Sequence, residues 1–416
     1  MLSKTGETMK NKKNVSQTTL LKYDEIFNLN KENNFSNHAF PLYLFTSRLY
    51  DELVKNNCKD ILFMSREGQF LKILFERYCE KRKELGLDVA NIKTHYFYGS
   101  RNSVMKASTK PIEKENFEHL LRNFRFFIRA KMFLFSIGFS NEQIEEVAQS
   151  FGKKINKLCF NFKTSKIFKE LKQNEVFRKI YEDNRTKQYD SFGKYMQSFN
   201  IDFHKDGIFF VDIGYHGTMQ DMIFKYYENK IKITGYFIKS RSKSRESNLK
   251  IGLLADVNNK HLFGSNINKY DAYNYEQILR ADHGRCLGYE VTKSGSATAI
   301  LDTKHDDKEI FDKYVKNLQT DILSKFDKIA NIALTENSDM EKIATIYYFK
   351  TIENKSNSDY KWILDMQDCH HDDFGYVGYP GRAFARKLRK FAFKLKDDFF
   401  LLGKKLFIKK TKKKLK

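Results

Sequence analysis

The chain alternates between apolar runs of two lengths. "HAFPLYLFTSRLYDELVKNN" (38–57) predicts a helix, with Pro41 in its first turn, where a missing N–H is harmless. "DILFMSREGQFLKILFERYCEKR" (60–82) predicts a strand, a tight turn and a helix. "KTHYFYGSRNSVM" (93–105) predicts a second strand that ends in a polar loop. From Glu113 to about Phe199 the pattern is helical, and "SNEQIEEVAQSF" opens with Ser140 and Gln143 at capping-box spacing. "GIFFVDIGYHGTMQDMI" (207–223) predicts a short buried strand running into Asp212, a loop with two glycines and a threonine, then an amphipathic run from Met219. "KITGYFI" (232–238) predicts another strand, and 309–350 a further helical run.

Strands alternating with helices imply an α/β fold with a largely parallel sheet and flanking helices. The expected organisation is a disordered N-terminus (1–20) and an α/β core (21–295) with a helical insertion (113–199). A helical extension (296–364) follows, then a loop and a C-terminal basic amphipathic helix (365–416).

Charge changes the picture at one end only. The formal net charge is +23, but Arg382–Lys416 holds 15 Lys/Arg against two Asp, leaving +10 for the other 381 residues. A nucleic-acid-binding core is therefore not required, and nucleic acid is not an expected partner. In the tail, Phe384, Leu388, Phe391, Leu395, Phe399 and Leu402 form one apolar helical stripe amid lysines. That composition suits a helix in an anionic membrane interface. A terminal helix packed on the domain and an RNA-binding tail are the other readings. No stretch reaches 18 uncharged apolar residues, so no transmembrane helix is expected. The polar N-terminus has no apolar core of a secretory signal. Five scattered cysteines without a CxxC pair suit reduced thiols in a cytoplasm.

In parallel sheets, ligands bind beyond the carboxyl ends of the strands. Three predicted strands end in functional groups: Ser65, Arg66, Glu67 and Gly68; Ser100, Arg101 and Asn102; and Asp212, Gly214, His216, Gly217 and Thr218. Two arginines can grip phosphoryl oxygens bidentately. Gly214 and Gly217 let backbone amides approach a phosphate, the next helix adds its dipole, and Thr218 can donate to the same oxygens. Asp212 and Glu67 can take a proton or hold a divalent cation. The plainer readings are an Arg66–Glu67 surface pair, Arg101 as a helix cap and glycines that serve only the turn. An unpaired buried carboxylate after four apolar residues is costly, which marks Asp212. "DMQDCHHDDFG" (365–375) lacks regular ligand spacing and reads as a loop rather than a zinc site.

"DILFMSREGQFL", "YFYGSRNSVM", "FFVDIGYHGTMQDMI" and "YEQILRADHGRCLGYE" (275–290) together resemble bacterial surface-polysaccharide proteins labelled predicted hydrolases of the haloacid dehalogenase superfamily. The resemblance spans about 38–290. It implies the glycan phosphoribosyltransferase half of dual-domain ribofuranosyltransferases, without the phosphatase half. Glu67 stands where that family more often has Asp, and Tyr215 where it often has Trp. Gly214 stands where a dehalogenase-type nucleophile motif needs its second acid, so the phosphatase label is not expected to apply.

The resemblance implies transfer of 5-phosphoribosyl from phosphoribosyl pyrophosphate to a lipid-linked glycan in capsule or O-antigen synthesis, with Mg²⁺. Asp212, then Glu67, would be the catalytic carboxylates, and Asp212 also the metal ligand. Ser65, Arg66, Gly68, Ser100, Arg101, Gly214, His216, Gly217, Thr218 and Gln220 would hold the donor. Tyr215, Glu276 and His283 would contact the acceptor or support the site. The protein would work at the inner face of the bacterial plasma membrane, beside a separate phosphatase. A transferase with another nucleotide-activated donor, a hydrolase, and a non-catalytic membrane-associated assembly factor are the alternatives.

Overall fold

The computed structural model describes residues 16–29, 33–121, 127–257, 269–303, 307–336, 338–353 and 362. The 365–375 loop and the basic tail lie outside the described residues. A helix α1 (Gln17–Phe27), capped by Ser16, begins within the stretch expected to be disordered. It is followed by α2 (Ala39–Lys55), with Pro41 in its first turn as expected. Then come strand β1 (Asp60–Met64), α3 (Gly68–Glu84), β2 (Lys93–Phe97) and α4 (Arg101–Ala107).

The insertion holds α5 (Glu118–Leu121), β3 (Phe127–Arg129), α6 (Ala130–Ser136), α7 (Asn141–Phe151), β4 (Leu158–Phe160), α8 (Lys166–Gln173) and α9 (Glu175–Gln197). Its helical pattern is as expected, and α7 carries the Ser140–Gln143 capping box. The small antiparallel β3–β4 ribbon was not expected.

After α10 (Phe203–Asp206) come β5 (Ile208–Tyr215), α11 (Thr218–Tyr226), β6 (Ile233–Ser240), β7 (Asn248–Asp256) and α12 (Lys269–Ile278). An antiparallel hairpin of β8 (Cys286–Val291) and β9 (Ala297–Leu301) straddles the boundary expected at 295. Helices α13 (Asp307–Tyr314), α14 (Lys316–Glu336) and α15 (Met340–Glu353) replace the single run expected over 309–350.

The main sheet runs β2-β1-β5-β6-β7 and every pairing in it is parallel. Side chains alternate across it. Ile61, Phe63, Val211 and Ile213 join a core with α1, α2, α3, α14 and α15. Leu62, Met64, Ile208 and Phe210 join a second core with α4, α11, the insertion and β8. Parallel strands buried on both faces must be apolar in every position. Asp212, on the same face of β5 as Phe210 and only 8% exposed, breaks that rule.

The chain passes from β1 to β2 on one side and reaches β5 on the other. The topological switch point, where such sheets open a crevice, therefore lies between β1 and β5. Among the described residues no helix is long and apolar enough to cross a membrane.

Candidate functional site

The carboxyl ends of β1, β2 and β5 surround a cavity of about 250 Å³. It is lined by Ser65, Arg66, Glu67, Ser100, Arg101, Asp212, Gly214, Tyr215, His216, Gly217, Thr218 and Glu276, all singled out from sequence. Gly99, Ile213, Met219, Gln277, Arg280 and Arg285 complete the wall and were not singled out. Two non-proline cis peptide bonds, Ser65–Arg66 and Gly214–Tyr215, lie at these strand ends.

The β1 and β2 ends are tied together. Ser65 Oγ donates to the Gly99 carbonyl at 2.7 Å and accepts from the Gly99 amide at 2.9 Å. Ser100 caps α4 through a reciprocal box with Ser103, and its Oγ donates to the Cys286 carbonyl at 2.6 Å. The polar loop expected after β2 is thus a helix start. Both serine hydroxyls are committed to the scaffold, which places these strand ends rather than gripping a ligand.

The turn after β1 is held from below. His283 is half-buried, and that burial lowers its pKa, so the neutral imidazole is the fitting form. Nδ1–H donates to the Gly284 carbonyl at 2.7 Å, which leaves Nε2 to accept from Tyr96 Oη at 2.7 Å. The same hydroxyl lies 3.3 Å from the Arg66 carbonyl. His283 does not line the cavity, and its place is that of a support. Gly68 opens α3, where a Cβ would come 2.7 Å from the Phe63 carbonyl carbon. It is there for close packing rather than as a ligand contact.

The β5 end differs from expectation. The strand continues past Asp212 to Tyr215, pairing Gly214 with Lys239 and Tyr215 with Ser240. At Gly214 φ is +109°, and a Cβ would fall 2.0 Å from the Lys239 carbonyl oxygen. No acidic side chain fits there. The remaining turn is held by Lys250, a buried lysine of β7 not anticipated from sequence. Its Nζ donates to the His216 carbonyl and to Asp221 Oδ2, both at 2.7 Å.

Asn248 Nδ2 donates to Asp221 Oδ1 at 2.8 Å, and Gln220 Nε2 donates to Asn248 Oδ1 at 2.6 Å. Gln220 is therefore buried under α11, against the glycine at 235, and outside the cavity. The donor-binding place expected for it is thus not at the cavity wall.

The electrostatics are concentrated. Burial, then the charge of Glu67, pushes the Asp212 carboxyl up to about 7, although its Oδ1 accepts from the Ile213 amide at 2.7 Å and Arg101 opposes the shift. Glu276 rises to about 7 for the same two reasons, opposed by Arg101 and Arg66. Asp307 Oδ1 accepts from two lining arginines, Arg66 Nη1 at 2.9 Å and Arg280 Nη2 at 2.5 Å. Arg280 is 3% exposed, and its buried Nε has no hydrogen-bond partner. Arg285 pairs with buried Asp302 at 3.2 Å.

Four guanidiniums and three carboxyls thus face one small space. Among the described residues no group of three or more His, Cys, Asp or Glu is arranged as a metal cage. Mg²⁺ rarely uses one, taking one or two carboxylates plus water and substrate phosphates. Asp212, Glu67 and Glu276 all line the cavity, so the one or two carboxylates that mode needs are at hand.

No family model matches the chain, and no curated protein matches it either. The likeness to polysaccharide phosphoribosyltransferases therefore rests on the motifs themselves.

Proposed function

We propose that the chain is a glycosyltransferase of surface-polysaccharide biosynthesis that moves 5-phosphoribosyl from phosphoribosyl pyrophosphate to a lipid-linked glycan. One observation carries this reading: four arginines, three carboxyls and the N-terminus of α11 converge beyond the switch point of a parallel sheet. Anionic phosphates and a developing positive charge at a sugar carbon need those two opposed sets in one place.

Arg66, Arg101, Arg280 and Arg285 would neutralise the donor's phosphates. The backbone of Gly217 and Thr218 would hold a phosphate at the start of α11. The C1–pyrophosphate bond breaks, and the acceptor oxygen bonds to C1. The acceptor's proton passes to Asp212, whose pKa of about 7 suits a general base near neutrality. Glu67 stabilises charge at C1. Glu67, with the donor's phosphates and water, would hold Mg²⁺, which would supply further neutralisation of the departing diphosphate. Asp212, the ligand expected from sequence, is left to the proton, because a bound cation would drive its carboxyl down. The product keeps its 5-phosphate, so a separate phosphatase would act next. The basic tail would keep the enzyme at the inner membrane surface, near a lipid-linked acceptor.

A dehalogenase-type hydrolase is disfavoured by Gly214, where the second acid cannot be built. The deciding experiment incubates the protein with Mg²⁺, a glycan panel and either phosphoribosyl pyrophosphate or nucleotide sugars. Pyrophosphate release with a matching mass gain on the glycan is expected. Turnover of a nucleotide sugar alone would replace the donor. No turnover with any donor would return the chain to the assembly-factor reading.

A further inference from the structure

The β3–β4 ribbon presents apolar side chains outward. Its register pairs Ile128 with Cys159 and Arg129 with Leu158. Ile128 and Cys159 are buried in the core of the insertion. Leu158 and Phe160, two residues apart, therefore share the opposite face with Arg129. The solvated face of an antiparallel ribbon is ordinarily polar. Here Leu158 is 51% and Phe160 64% exposed.

The charge around this face is one-sided. Residues 152–172, "GKKINKLCFNFKTSKIFKELK", hold seven lysines and one acid, a net of +6. That acid, Glu170, is already paired with Lys154 at 2.8 Å. Lys153, Lys157, Lys163 and Lys169 are exposed and make no ion pair among the described residues. Like charges gathered in this way repel one another. Aliphatic and aromatic groups held out between lysines are instead the chemistry of insertion at an anionic lipid interface. A second copy of the same face would set lysine against lysine. A nucleic-acid strand would leave Leu158 without a stacking partner.

We infer that the outward face of the β3–β4 ribbon, with its flanking lysines, is a docking surface for an anionic lipid bilayer. It is independent of the cavity's chemistry and of the basic tail. The ribbon would seat Leu158 and Phe160 at the acyl boundary while the lysines meet headgroups.

The test uses the full chain carrying Phe160→Trp, read against the parent, whose single tryptophan supplies the background. Vesicles of phosphatidylcholine, with or without phosphatidylglycerol, carry brominated acyl chains. With anionic vesicles the introduced indole is expected to shift to the blue and to be quenched. Adding Lys157→Glu and Lys163→Glu should weaken that quenching at least about tenfold in lipid concentration, and rising salt should weaken it too. These positions are exposed, so unfolding curves should not change. Co-sedimentation without any change at the introduced indole would mean the tail alone binds, and would overturn the proposal. So would no vesicle binding at all, or quenching by RNA in place of lipid.

Discussion

Arg66 and Asp307 are 241 positions apart in the chain, yet Nη1 of one lies 2.9 Å from Oδ1 of the other. The same oxygen accepts from buried Arg280. The first residue of α13 therefore closes on the turn after β1 and fixes two guanidiniums at the cavity wall. Removing one partner of a buried pair leaves the other charge uncompensated, which costs about 3–5 kcal/mol. Asp307→Ala should destabilise by that order, measured by urea unfolding. Replacing Asp307 together with its more buried partner, as in Arg280→Met with Asp307→Leu, should recover part of the loss, the remainder being that of Arg66 left without Asp307. A single variant within about 0.5 kcal/mol of the parent, the range of an ordinary surface change, would show that the contact carries no stability.

Gly214 gives the next prediction. Its positive φ and the Lys239 carbonyl oxygen 2.0 Å from a would-be Cβ leave no room for a side chain. Gly214→Ala should destabilise by more than about 2 kcal/mol, since the strain and the lost β5–β6 pairing act together. Gly214→Asp, which restores a dehalogenase-type acid pair, should also unfold more easily and gain no phosphatase activity. A stable Gly214→Asp variant that hydrolyses a phosphomonoester would revive the hydrolase reading.

Much of the cavity was legible because strand, polar turn and helix leave a local signature at Ser65–Glu67 and at Asp212–Thr218. What escaped notice depends on contacts between distant parts. Arg280 and Arg285 stand inside a stretch quoted for its motif, but what places them at the site is pairing with Asp307 and Asp302. Strand β7 was missed because "NLKIGLLAD" carries Lys250, and a lysine in a buried strand makes sense only beside Asp221 and the His216 carbonyl. Helix α4 read as a loop because Ser103 fills the capping-box position where Glu or Gln is the usual signal. Strand β5 seemed to end at Val211 because an acid and then a glycine follow. The sheet tolerates Asp212 there because the carboxyl opens into a cavity.

Charge alone is insufficient at the cavity if its arginines grip oxygen pairs. Arg66 and Arg101 are therefore expected to fail when replaced by Lys, since an ammonium cannot reproduce a planar two-point contact. Each Lys variant should lose about 10²-fold in kcat/KM, with the fold unchanged. That corresponds to the roughly 1.5–3 kcal/mol of a charge-assisted hydrogen bond. If both Lys variants work normally while the Ala variants do not, point charges suffice and the bidentate grip is wrong. For Asp212→Ala, loss of the proposed general base should cost 10²–10⁴-fold while the protein stays folded. Activity within about threefold of the parent would remove Asp212 from the chemistry.

The carboxyl cluster also predicts how stability varies with pH. Asp212 and Glu276 are each held up near 7, first by burial and then by the charge of Glu67. In the unfolded chain such groups titrate at about 3.9 and 4.3. Between about pH 4 and 7 the folded state therefore binds more protons than the unfolded state. Their contribution is fully present below the unfolded values and is lost as pH rises through about 7. The slope is at most on the order of 1.4 kcal/mol per pH unit for each group. Asp212→Asn cannot ionise, so one of these two slopes disappears. The variant should gain on the parent steadily from about pH 5 to 7 and hold that gain above it. Taking the difference between the two proteins cancels titration elsewhere, including that of His283. Glu276→Gln should act in the same direction and also lower the Asp212 pKa, since Glu276 helps to raise it. The measurement is urea unfolding of parent and variants across this window at fixed ionic strength. Parallel curves would mean that Asp212 is ionised throughout, and would remove the poised base from the proposed chemistry.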